Sequence, residues 1–170
     1  MYDDFTVVKN SKRTEIYVRN FIFGVEDSLV STVGFVSGIA AAGLPKENIF
    51  LSGMVLIFVE AFSMGVGSYL SEDSAAEYTK RKREQSFSIA GAGIMFFSYL
   101  MFGLIPLSPY IVFTTAVAFP TSIVLSLIAL FLLGALSAQY FQRDFMRHGL
   151  KMLVVGGLAI AAGIVVGQLV

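Results

Sequence analysis

Five stretches of about 20 apolar residues, each long enough as a helix to cross a ~30 Å hydrocarbon core, follow one another along this chain with short polar breaks between them. They fall near 21–42, 48–70, 87–107, 113–140 and 150–169. The fourth contains Pro120, so its start is placed between 111 and 121. Pro45 punctuates the first turn, "GLPKEN", and Pro106 and Pro109 punctuate the connection "LIPLSPY", since proline removes a backbone donor and stops or kinks a helix. Both connections are too short to hold a domain. The one substantial polar connector, "SEDSAAEYTKRKREQSFS", reads as a helix that continues the second span beyond the membrane over 71–86. The pattern predicts an all-α integral membrane protein with a single five-helix transmembrane domain over 1–170.

Composition agrees with that pattern. Of 170 residues, 56% are hydrophobic and 14% charged, with a mean hydropathy of +0.76, where a soluble domain carries about 25% charge. The formal net charge is zero, so nothing in the composition suggests a nucleic-acid partner. The absence of Cys rules out disulfides and thiolate metal ligands. The stretch "MYDDFTVVKNSKRTE" has neither an apolar core nor a small-residue cleavage site, so it does not read as a signal peptide. Every Lys and Arg except Lys46 falls at one end of the predicted bundle: Lys9, Lys12, Arg13 and Arg19 before the first span, Lys80, Arg81, Lys82 and Arg83 after the second, and Arg143, Arg147 and Lys151 around the last turn. By the positive-inside rule that end, with the N-terminus, is cytoplasmic, and the C-terminus lies on the opposite side.

Three acids interrupt the apolar pattern inside the spans: Glu26 and Asp27 in "FIFGVEDSLVSTVGFVSGIAAAG", and Glu60 in the second span. A charge at such depth costs roughly 2.5–3.5 kcal/mol even on lenient insertion scales and marks a functional position by default. The first two spans are antiparallel neighbours, so depth can be counted inward from Asn20 and Ser71. Asp27 and Met64 are each seven residues in, about 10 Å deep at ~1.5 Å per residue. Glu60 lies one turn deeper, level with Ser31, and shares a face with Met64 and Gly67. On the first span Asp27, Ser31, Gly34, Gly38 and Ala42 form a stripe of polar and small residues, and small residues permit close helix approach. Carboxylates with one thioether suit a borderline divalent ion, ferrous iron or manganese, better than magnesium or calcium. Burial and a bound cation act oppositely on a carboxylate's proton affinity, which would let metal and proton displace each other.

Other residues carry two readings. Glu26 either joins the metal-binding set or serves as a hydrogen-bond donor between helices. Glu72, Asp73 and Glu77, just outside the second span, either concentrate cations at the mouth or belong to a solvated helix with Glu77–Arg81 and Lys80–Glu84 pairs at i, i+4. His148, the only histidine, lies in a turn as an interfacial residue, and Gly163 and Gly167 serve helix packing. With no His-rich metal motif and no Ser/His pair within the spans, the chain does not read as an enzyme.

The segments "FGVEDSLVSTVGFVSGIAAAG" and "VLIFVEAFSMGVGSYLSEDSAAEY", with "GLIPLSPY", "IALFLLGALSAQ" and "GLKMLVVGGLAIAAGIVVGQLV" in order after them, resemble the vacuolar iron transporter family in its short prokaryotic form. The resemblance covers nearly the whole chain from about residue 19. It implies a five-helix homodimer that moves ferrous iron, and sometimes manganese, out of the cytoplasm in exchange for protons. It also implies a path between protomers lined by Asp27 and Met64. This chain has Ser28 where the family has Gly after the Asp, and Ser68 where plant-type members carry an acid. It keeps only a short connector where plant-type members insert a cytoplasmic metal-binding domain, so Glu72, Asp73 and Glu77 would have to capture the ion. The expectation is therefore a proton-coupled metal transporter with Asp27, Met64, Glu60, Glu26, Glu72, Asp73 and Glu77 as metal-binding candidates. No cofactor is expected apart from the transported ion. Its partners are the divalent ion, protons, membrane lipid and a second copy, in the cell membrane or an organelle membrane such as that of a vacuole. The rival reading is a membrane scaffold or sensor whose acids hold helices together.

Overall fold

A computed structural model describes residues 2–79, 85–140 and 144–169. The described residues form helices without strands: α1 (Tyr2–Ala41), α2 (Lys46–Tyr78), α3 (Gln85–Leu107), the one-turn α4 (Pro109–Val112), α5 (Thr115–Tyr140) and α6 (Phe145–Leu169). All but α4 are long and apolar enough to cross a membrane. Large apolar side chains such as Leu51, Val59, Phe62, Met101, Leu136 and Leu158 stand on the outside, as a hydrocarbon solvent requires and a watery one disfavours. This is a multi-pass membrane protein.

The first helix exceeds the expected span of 21–42. It runs unbroken for 40 residues, about 60 Å at 1.5 Å per residue, so its first half projects beyond a bilayer-thick slab. The preceding segment contains no proline or glycine to stop it. α1 ends where Gly43 takes φ 79°, a left-handed conformation that glycine adopts at little cost. The Leu44 amide then bonds the Ile39 carbonyl at 3.4 Å and the Gly43 amide bonds that of Ala40 at 3.1 Å, a Schellman closure, with Pro45 next to prevent continuation. α2 also continues past its span, to Tyr78, and α3 starts at Gln85. The fourth span begins at Thr115, inside its expected window. At the start of α6, Asp144 Oδ1 accepts the amides of Met146 (3.0 Å) and Arg147 (3.1 Å), an N-cap. Of the charged residues that entered the topology and pairing arguments, Lys80, Arg81, Lys82, Arg83, Glu84 and Arg143 lie outside the described residues, as do the side chains of Lys9 and Lys12.

α1 is the axis of the bundle, with half of its spanning stretch buried against 11% of that of α6, and it packs most extensively on α3 and α6. Each contact uses small residues, because close approach of two backbones leaves no room for a side chain. Toward α3, Gly24 lies against Met95 and Ser98, Gly91 lies against Asn20 and Ile16, and the Ser28 hydroxyl donates to the Tyr99 carbonyl at 2.6 Å. Toward α6, a Cβ on Gly34 would stand 3.1 Å from the Ala159 carbonyl oxygen, and one on Gly38 would stand 2.8 Å from that of Gly163. Gly163 and Gly167 in turn press on the Gly34 and Gly38 carbonyls. The glycine half of the Asp27–Ala42 stripe therefore packs within the chain, against the last span. It is not an open face for a second copy. Gly163 and Gly167 do serve packing, as expected.

Two apolar clusters fill the remaining space. Val36, Ile49, Ile57, Leu107, Tyr110 and Ala118 close the end that carries the α1–α2 turn, and Val25, Leu29 and Leu130 join α1 to α5. Through Val36, Ile49, Ile57 and Leu107, α1, α2 and α3 share the first of these clusters.

Candidate functional site

The site is the seam between α1 and α2, backed by α3. Arg19 on α1 forms an ion pair with Glu72 on α2. Next to it the Asn20 side-chain amide donates to the Ser68 hydroxyl at 2.8 Å. Deeper in, the Ser31 hydroxyl donates to Glu60 Oε2 at 2.9 Å, and the Tyr99 hydroxyl, reaching over from α3, donates to the same oxygen.

Arg19–Glu72 and Ser31–Glu60 fix one antiparallel register. Eight residues on from Arg19 is Asp27, and eight back from Glu72 is Met64. At an equal rise per residue Asp27 and Met64 are level, with Glu60 one turn deeper. All three are half-buried. Asp27 and Glu60 are within electrostatic reach of each other. Two ionised carboxylates held this way in a low-dielectric setting repel, and a divalent cation or a proton between them relieves the repulsion. Beside the seam, Phe35 of α1, one turn from Ser31, and Ser63 and Gly67 of α2, next to Glu60 and Met64 on the helix surface, are exposed.

The seven expected ligands do not gather at one point. Among the described residues no three His, Cys, Asp or Glu side chains are grouped to hold a metal ion. Glu26 lies within electrostatic reach of Lys151 on α6 as well as of Asp27, so its surroundings differ from those of Glu60. Glu72 enters as half of an ion pair. Asp73 is half-buried and Glu77 is exposed on the projecting part of α2. The expected Glu77–Arg81 and Lys80–Glu84 pairs involve residues outside the described ones.

Tyr99 is not among the candidates that the sequence offers. A tyrosine in an apolar span reads as packing or as an interfacial residue, and only its position opposite Glu60 reveals the hydrogen bond. Ser68 and Ser28 likewise have definite partners, Asn20 and the Tyr99 backbone, so two of the departures from the family pattern are hydrogen-bonded between helices.

Comparison with known proteins adds an independent line. A family model described as the VIT family matches residues 18–88 and 83–168. The chain is similar to Vacuolar iron transporter 1 of Oryza sativa subsp. japonica, 24% identical with 85% of this chain and 82% of the relative covered. It is also similar to Vacuolar iron transporter 1 of Arabidopsis thaliana, at 22% identity over 90% of this chain and 86% of the relative. With Vacuolar iron transporter 1 of Eucalyptus grandis the identity is 34%, over 40% of this chain and 28% of the relative. The Oryza alignment spans 206 positions while taking in 85% of a 170-residue chain, so the relative has residues inside the matched region that this chain lacks.

Proposed function

Because the chain belongs to the VIT family, we propose that it exports ferrous iron, with manganese as a second substrate, from the cytoplasm in exchange for protons. The observation that carries this reading is the α1–α2 seam, where the Arg19–Glu72 and Ser31–Glu60 pairs set Asp27 level with Met64 and place Glu60 one turn deeper. Carboxylate oxygens and a thioether suit a borderline divalent ion. The basic end of the bundle, with Arg19 and Lys151, is the cytoplasmic one. Proton exchange follows from the same groups, since a carboxylate that releases the ion in a low-dielectric site gains affinity for a proton.

The exposed surface beside the seam favours a homodimer. A lone protomer would turn half-buried carboxylates toward hydrocarbon, which is costly. A second copy related by a two-fold axis would cover the seam and double each ligand, supplying the donors that a single protomer lacks. The scaffold reading accounts for Glu60, whose carboxylate ties α1 and α3 to α2, and for the Glu26–Lys151 proximity, but it gives no part to Asp27 level with Met64.

The direct test is uptake of divalent ions by proteoliposomes with an imposed proton gradient. Iron and manganese flux that dissipates the gradient supports the reading, and liposomes no more permeable than empty ones would overturn it. Met64→Ala sharpens the test. Loss of the thioether should slow iron or cobalt several-fold more than it alters any residual calcium binding, because calcium has little use for sulfur. Equal losses for all ions would mean that packing around position 64 had collapsed.

A further inference from the structure

Tyr99 is fully buried on α3, and its hydroxyl donates to Glu60 on α2 while lying 2.5 Å from the Ser31 hydroxyl of α1. Ser31 donates to the same Glu60 oxygen. One carboxylate oxygen thus gathers side chains from three helices. We propose that Tyr99 is a positioning residue for transport, holding the Glu60 carboxylate in a single orientation on the ion's route, one turn beyond Asp27 and Met64. This rests on the transport reading and adds to it a part for α3.

The chemistry is specific. A Glu side chain has three rotatable bonds and, unrestrained, samples several rotamers. Two hydroxyl donors on Oε2 fix the carboxyl plane and leave Oε1 for the passing ion. Asp27 and Met64 meet the ion first, so they govern its apparent affinity. Glu60 receives it about 6 Å further on, at ~1.5 Å per residue, so its orientation governs turnover. Tyr99 touches no ion in this scheme and acts through Glu60 alone.

Tyr99→Phe retains the ring and its packing and removes only the hydroxyl. Uptake by proteoliposomes would be measured for wild type, Tyr99→Phe, Glu60→Gln and the double variant, with ferrous iron kept reduced under anaerobic conditions. The maximal rate of Tyr99→Phe is expected to fall roughly tenfold, the scale of a lost hydrogen bond to a charged group, with KM nearly unchanged. The double variant is expected to be no slower than Glu60→Gln, because the hydroxyl has nothing left to position. Ser31→Ala should move the maximal rate in the same direction, and it carries the comparison if Tyr99→Phe fails to fold. Wild-type kinetics in Tyr99→Phe, or a tenfold loss that persists on top of Glu60→Gln, would overturn the proposal while leaving the transport reading intact. An inert wild-type preparation would overturn the transport reading and this proposal with it.

Discussion

Asp27→Asn should abolish metal flux and leave the protein folded. The amide has nearly the shape of the carboxylate, so the packing of α1 is unchanged. What it lacks is the negative charge that compensates a divalent ion stripped of water. Removing one partner from a buried charge pair costs about 3–5 kcal/mol, which at about 1.4 kcal/mol per decade means a loss of a hundredfold or more. The stability consequence has the opposite sign. Asp27 is within electrostatic reach of Glu60, a like charge, so in the absence of metal the Asn variant should melt no lower than wild type. Flux in proteoliposomes and thermal unfolding in detergent read these two effects separately. Full flux from a well-folded Asn variant would end the claim that Asp27 handles the ion.

Gly163→Ala should be among the most destabilising single substitutions in the bundle. A Cβ there runs into the carbonyl of Gly34, which is backbone and cannot swing aside as a side chain can. Overpacking of this kind costs about 1–3 kcal/mol and sometimes more, and the clash here recurs one turn on at Gly167 against Gly38. Gly157, six residues earlier on the same helix, has open space where a Cβ would go. Gly157→Ala should therefore be neutral or slightly stabilising, since alanine is the better helix former by about 0.8–1.0 kcal/mol. Comparing unfolding temperatures of the two variants cancels the effect of helix propensity and leaves the α1–α6 contact. Equal temperatures would show that this contact contributes nothing.

The spans and the intramembrane acids are legible in the sequence because a hydrocarbon solvent imposes length and polarity on every helix that crosses it. Depth is legible too: counting inward from Asn20 and Ser71 gives the level that the Arg19–Glu72 and Ser31–Glu60 pairs reproduce. The partner of each face is not. Gly34 and Gly38 announce close approach, but a small-residue stripe fits another copy of α1 as well as α6, and only the assembled bundle decides. Tyr99 escapes a sequence reading for a related reason. Its role depends on a side chain 39 residues away in the sequence, and no local pattern points from one to the other. The length of α1 escapes as well, because the polar residues before Asn20 mark the end of the membrane and not the end of the helix.

The α1–α6 contact also bears on how the protein is made. α1 leaves the ribosome first, and its glycine face has to remain unfilled until α6 follows more than a hundred residues later. At about 5–20 residues per second, that delay lasts several seconds to tens of seconds. During it, Gly34 and Gly38 are open to any helix with small residues, including the α6 of a neighbouring nascent chain, and Glu26 lacks the Lys151 charge. Closure of the α1 glycine face is thus a late event in biogenesis, and a ribosome that stalls before α6 leaves a membrane-inserted intermediate with that face uncovered.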